Sequence, residues 1–527
     1  VLMGRPKVFW EGMDVQAVRS VDPVDMLSGA AVVERLDLTL GGPAPLAWAR
    51  RYDSRRRGLD GPAGRGWSHG YESRVAVHAD PGAAMGLGGP GACAASAVAC
   101  TAVRDILADG ESARNLTLAC LVADWWAAQL LGGGATVLAD GKALAFARLP
   151  DGAYEPAPGV TAALSKTNGA FALSARLGPI WLFATNGLLS RVEDRSGNRV
   201  DLSYTEGATL SSVSNAFGRA LSLTWSGGRV AAVSDGAGRS VSYHYDAAGC
   251  LTNAVDAAGF GWQATYAADA ALLSQTDPEG CRTILNAYNG LGQVTNQTSA
   301  SGRSWGFAYA AGWRSWESDP FGLRVFHGFT GEGRPAWRSD RADHLSLAYH
   351  DARGHVVTNI DPAGRSRVFA YDAHDRLVRA VEAANTPAAR TNAFAYDATH
   401  RLVAVTNALG LVTRFAYDAN DRLVLATFPD GTAASNTWNA AGLRTAETLL
   451  DAAGQTLRHT AFAYDDGGRP ATRTTHGPGM PCPVETATDF DAAGSLVRFQ
   501  DANGRETFFH YDARGLLTNT VDAAGHA

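Results

Sequence analysis

The stretch Tyr396-Asp397-Ala398-Thr399-His400-Arg401-Leu402-Val403-Ala404-Val405-Thr406, continued by Leu411-Val412-Thr413-Arg414-Phe415 and closed by Tyr417-Asp418, decides the fold. Two short runs of β-branched, aliphatic and aromatic residues lie between turn formers, and each is long enough for one strand. An aspartate folds its carboxylate onto backbone N–H groups two residues on, and glycine supplies positive φ. The Tyr-Asp step therefore reads as one turn. A second turn signal, Asp-x-x-Gly, recurs between such steps, as at Asp256 to Gly259, Asp277 to Gly280, Asp361 to Gly364 and Asp501 to Gly504. One unit is then a β-hairpin of roughly 21 residues.

Working outward, the unit repeats. An aromatic residue recurs from Phe183 through Tyr204, Trp225, Tyr245, Tyr266 and onward, Tyr349 included, to Tyr511. The intervals are 20 to 22 residues, except those ending at Tyr396, Tyr464 and Phe490, which hold loop insertions. Aspartate follows in Tyr245-Asp246, with Gly249 closing the turn, in Tyr371-Asp372, Tyr396-Asp397 and Tyr417-Asp418, and in Tyr511-Asp512, with Gly515 closing it. A lone hairpin is marginal in water, whereas hairpins side by side share a sheet and hold one another. Carboxylates locked to this period beside glycine are read as turn formers rather than catalytic acids. The recurring aromatics are read as sheet packing rather than sugar stacking.

Composition narrows the function. The 527 residues carry 46 basic and 52 acidic side chains, a net charge of -6, which lacks the clustered positive surface of a nucleic-acid binder. Only Lys7, Lys142 and Lys166 are lysines, and the bias to arginine is read as base composition. The 6 cysteines form no Cys-x-x-Cys pair, so neither a disulfide scaffold nor a structural zinc site is expected. No stretch is long and apolar enough for a membrane span, and no signal peptide is visible. Neither a phosphate-binding loop nor a nucleophile elbow occurs, and His350 with His355 is not a metal-binding pair. No catalytic, cofactor-binding or metal-ligating residue is assigned, and no enzymatic activity is expected.

Four segments follow: a tail at 1–21, a β domain at 22–80, an Ala/Gly-rich insert at 81–140 with a helix near 112–131, and the hairpin array at 141–527. In the β domain, Arg50, Arg51, Arg55, Arg56 and Arg57 are read with Asp53 and Asp60 as a solvated, partly paired face. Trp67 is read as a core anchor. Ser68 and His69 are neighbours on an extended strand, point to opposite faces and do not make a nucleophile and base.

Tyr511-Asp512-Ala513-Arg514-Gly515-Leu516-Leu517 and Asp361-Pro362-Ala363-Gly364-Arg365 resemble the YD repeat of Rhs (rearrangement hot spot) proteins. Asp22-Pro23-Val24-Asp25, Arg51-Tyr52-Asp53-Ser54 and Gly64-Arg65-Gly66-Trp67-Ser68-His69 resemble the N-terminal domain that precedes those repeats, with Asp22, Pro23, Tyr52, Gly66, Trp67 and His69 as its motif residues. The resemblance covers residues 22–78 and about 141–527. It implies an all-β fold, an array of stacked hairpins forming a spiralling sheet shell. It implies a segment of an Rhs-type polymorphic toxin or secreted effector, secreted or cell-surface in a bacterium and cytoplasmic before export. The implied partners are a C-terminal toxin polypeptide or other protein cargo, with a secretion-apparatus component. The alternative is a surface module that binds carbohydrate or protein. The family's core block, expected after the repeats, is not found before His526-Ala527.

Overall fold

The computed structural model describes residues 24–77, 134–139, 142–149, 151–157, 160–176, 178–331, 333–340, 344–480 and 484–526. Strands β1 (Val32–Leu40), β2 (Leu46–Asp53) and β3 (Trp67–His69) pair antiparallel into a small sheet. Its apolar residues alternate inward, leaving Leu38, Leu40, Leu46, Trp48, Tyr52 and Trp67 buried. β4 (Arg74–Val77) instead joins β5 (Ala135–Ala139), β6 (Lys142–Arg148) and β7 (Tyr154–Pro156) in a second sheet. The expected array boundary at 141 therefore falls inside this second sheet, between β5 and β6. The array itself runs from β8 (Ala163–Thr167) to β41 (Leu517–Val521), 34 strands paired antiparallel in sequence order and curled into a barrel. Among the described residues the one helical element is the single 3-10 turn Ser54–Arg56. The helix expected near 112–131 lies outside the described residues, as do Asp22 and Pro23.

Each repeat is two strands, and its turn is built by the aspartate. Asp397 accepts the backbone N–H groups of Thr399 and Arg401 on one carboxylate oxygen, each at 2.9 Å. Gly249 and Gly515 close their turns at φ of +83° and +79°, where L side chains are strained. His400 and Asp421 take the same left-handed position without being glycine. At the Tyr-Asp end the ladder carries a bulge. Tyr396 pairs with Leu402 while Ala395 pairs with Ala404, so one extra residue sits on the second strand. The same shift occurs at Tyr245 opposite Leu251, Tyr371 opposite Leu377 and Tyr417 opposite Leu423. At Tyr349 the count differs. The bulge there falls at His350 opposite Val356, so His350 holds the repeat position and Tyr349 is turned out, 53% exposed.

The sheet wraps around the N-terminal sheet. β4 bonds to the turn between β10 (Ile180–Phe183) and β11 (Leu189–Glu193) through Val75 N–H to Gly187 O at 2.8 Å. Leu27 packs against Gly333, between β24 (Arg324–Phe329) and β25 (Pro335–Ser339). At about 4.8 Å per strand those intervening strands would span roughly 70 Å if flat. A domain of about 54 residues is only some 26 Å across. The sheet must therefore curve with its aromatic face concave, and Tyr243 and Leu272 on that face are buried beneath the N-terminal sheet.

After one circuit the strip meets itself. Arg195 pairs with Asp421, 226 residues on, and an Nη of Arg219 donates to Gly467 O, 248 residues on, at 3.3 Å. The Arg514 guanidinium lies 4.9 Å from the ring centre of Phe260. Tyr-Asp turns of the second coil thus sit on the Asp-x-x-Gly turns of the first. The β1–β2 connection lies in this seam. Ala44 O accepts from Asn215 of the first coil at 2.7 Å, while Pro43 packs on Gly468 and Gly41 on Gly494 of the second.

Candidate functional site

The surface that organises this molecule is the concave face. The repeat tyrosines and tryptophans on it are fixed by their polar ends. Tyr417 Oη donates to Leu402 O at 2.8 Å, 15 residues back in the preceding hairpin. Tyr204 to Leu189, Tyr245 to Val230, Tyr266 to Leu251, Tyr371 to Val356, Tyr396 to Leu377 and Tyr511 to Leu496 repeat the bond, and the indole N–H groups of Trp225 and Trp438 replace the hydroxyl in theirs. In most of these bonds the accepting carbonyl belongs to the residue at the bulge of the previous hairpin, where ladder pairing is interrupted. Each aromatic therefore satisfies a group that its neighbour's bulge leaves open. Burial pushes these phenols up, Tyr204 to about 12 and Tyr245 and Tyr266 further.

A second bond set links the turns. Arg401 Nε meets Asp397 Oδ2 at 2.6 Å, and its Nη1 donates to Asp418 O of the next repeat at 3.0 Å. The guanidinium also lies 5.3 Å from the ring centre of Tyr417. Arg376 bridges Asp372 to Asp397 O, Arg422 bridges Asp418 to Asn439 O, and Arg469 bridges Asp465 to Asp491 O in the same way. Desolvation raises the Asp372 carboxyl, but the Arg376 N–H, the Arg376 guanidinium and the His374 N–H outweigh it and hold the group at about 2. Asp397 is held lower still by the same kind of partners, and the Leu516 N–H and Arg514 lower Asp512. These four arginines stand five residues after Tyr371, Tyr396, Tyr417 and Tyr464.

The N-terminal motif residues bind the inner wall. Tyr52 Oη donates to Ala270 O at 3.0 Å and accepts from Leu272 N at 2.9 Å, bridging one repeat turn. Trp67 Nε1 donates to Tyr266 Oη at 2.8 Å, and Tyr266 donates in turn to Leu251 O at 2.7 Å. Gly66 stands at φ +74°, and a Cβ there would lie 2.6 Å from the Tyr52 ring. His69 is buried and stacked on Trp48 at 4.7 Å, and burial pushes its imidazole down to about 3. Ser68 donates to Arg51 O at 3.4 Å.

The arginine group is not a solvated face throughout. Arg50 is buried against Trp67 and Tyr243 and pairs with Asp37 at 2.7 Å, because the wall covers this edge of the sheet. Arg57 reaches Asp269, and Asp60 reaches Arg229, both on the wall. Among the described residues no group of three or more His, Cys, Asp or Glu could hold a metal ion, and no helix is long and apolar enough to cross a membrane.

The RHS Repeat family profile matches residues 225–260, 350–387, 396–433 and 490–527. The chain carries RHS repeats. A domain of unknown function, DUF6531, matches residues 21–87. No curated protein matches the chain. The crystal structure of TcdB2-TccC3 aligns with 74% of this RHS-repeat chain at 13% identity and a TM-score of 0.50. The Photorhabdus luminescens Tc holotoxin pore aligns with 74% at 12% and 0.46. TcdB2-TccC3 without its hypervariable C-terminal region aligns with 95% at 11% and 0.37. The chain spans 24%, 25% and 29% of those chains, and the likeness to the first is one of fold.

Proposed function

We propose that this chain is a segment of wall in an Rhs-type toxin shell, and that its concave face encloses a polypeptide cargo. The observation that carries the reading is the difference between the two coils. On the first, Val241, Tyr243 and Leu272 are buried by the N-terminal sheet. On the second, Phe394, Tyr396, Phe415 and Tyr417 occupy the same face and stay half-buried. The chain supplies a continuous inner surface there, and a cargo polypeptide is the occupant we assign. The role is mechanical containment, with no reaction assigned to this segment and with export from a bacterium as its setting.

The test is electron microscopy of the purified protein. A hollow particle with a wall one sheet thick is expected. A compact particle without a cavity refutes the proposal. Sugar stacking fares worse as a reading, because the polar ends of Tyr396 and Tyr417 are bonded to the wall and guanidinium groups lie over their rings.

A further inference from the structure

One hairpin departs from the pattern and encloses a cleft. β29 (Leu377–Glu382) is joined to β30 (Arg390–Tyr396) by a loop longer than the usual turn, over residues 383–389. The loop folds back on β28 (Ser366–Tyr371) through Ala384 N–H to Ser366 O at 3.0 Å, and Thr386 Oγ1 donates to Ala383 O. Beside it lies an open cleft of about 470 Å³. That volume falls within the range of small-molecule sites.

The floor of the cleft is a ladder on the concave face. Asn359 stands opposite Arg367, Arg367 opposite Glu382, and Glu382 opposite Arg390. Hydrogen-bond donors here outnumber acceptors. Glu382 takes only the Nε edge of Arg367, at 2.6 Å, and Asp361 takes only the Nε edge of Arg365, at 2.7 Å. A guanidinium carries five N–H donors, so most remain. Arg376 and Arg401 spend theirs on the next hairpin's carbonyl, whereas Arg365 has no such carbonyl partner among the described residues. Arg390 and the Asn359 amide have no side-chain partner there either. Three guanidinium groups against two carboxylates leave one positive charge.

We propose that this cleft binds a small polyanion through its phosphate or carboxylate groups. Planar guanidinium edges match the paired oxygens of either group. The site is separate from the containment role and stands if that role fails.

The experiment is isothermal titration of the full chain at low salt with pyrophosphate and, separately, with citrate. Arg390→Gln is compared with Arg324→Gln, a change outside the cleft, with circular dichroism as the check on folding. Saturable binding of one anion is expected, weakened at least tenfold by Arg390→Gln and unchanged by Arg324→Gln. Pyrophosphate alone assigns a phosphate ligand, citrate alone a carboxylate, and both assign oxyanion charge. No saturable binding of either, or equal binding by wild type and Arg390→Gln, overturns the proposal.

Discussion

Replacing Tyr266 by Phe removes one oxygen that serves two buried groups. That oxygen accepts from Trp67 Nε1 at 2.8 Å and donates to Leu251 O at 2.7 Å. Both partners sit where the N-terminal sheet covers the wall, so water does not take its place. An orphaned buried polar group costs about 1–3 kcal/mol, so two cost about 2–4 kcal/mol here, allowing for partial relaxation. At about 1.4 kcal/mol per decade, local opening becomes roughly 30- to 700-fold more frequent. Tyr511→Phe is the control. It breaks one bond, to Leu496 O at 2.8 Å, on the half-open second coil where water substitutes, and costs less than about 1 kcal/mol. Native-state hydrogen exchange over residues 246–276 measures the opening locally, which suits an array whose repeats do not unfold as one. Trp67→Phe should add little on top of Tyr266→Phe for their shared bond. An exchange change below threefold for Tyr266→Phe, or one equal to that of Tyr511→Phe, refutes the claim that the aromatic bonds hold repeat to repeat.

Arg401→Gln removes the links to Asp397 and to Asp418 O and should loosen that turn, read as faster exchange confined to 397–421. His69 is held down to about 3 from an unfolded value near 6.5, so its share of stability is present above pH 6.5 and is lost as pH falls towards 3. His69→Phe keeps a ring on Trp48 and should flatten melting temperature against pH between 6 and 4; an unchanged slope contradicts this. Asp372, held at about 2, contributes above pH 4 and loses that contribution as pH falls from 4 to 2, so Asp372→Asn should flatten the curve only there. Gly494→Ala forces a side chain onto φ +87° with its Cβ 3.2 Å from Gly41 N. A loss of about 1–2 kcal/mol at the seam is expected, seen as faster proteolysis at residues 41–45.

The hairpins and their turns were legible because each is local. Asp397 builds its turn from residues two and four ahead, and the strand runs carry their own β-propensity. The coiling was not legible, because Arg195 and Asp421 are brought together only by the curvature of the whole sheet. Arg50 misled for the same reason, since a cluster of arginines near aspartates gives no sign that a distant wall will bury one of them. The staple arginines were within reach, as they keep a fixed offset from tyrosine. Tyr349 shows the limit of counting aromatics. An aromatic in nearly the right place held the wrong face, and only the bulge at His350 reveals it. The role of Tyr52 in the turn at Ala270 has no local sequence signal.

The seam separates two dimensions of the coiled sheet. Its girth is set where the first coil moulds itself on the N-terminal sheet, a template read once at the start of the array. Its depth is set by how many coils lie edge on edge, each adding one strand length, roughly 17–24 Å for five to seven residues. Wall length therefore grows in proportion to repeat number at constant girth. Duplication or loss of a single hairpin of about 21 residues changes the wall length by one small step and leaves the template untouched. Copying one short unit of sequence would therefore lengthen the wall without redesigning its start.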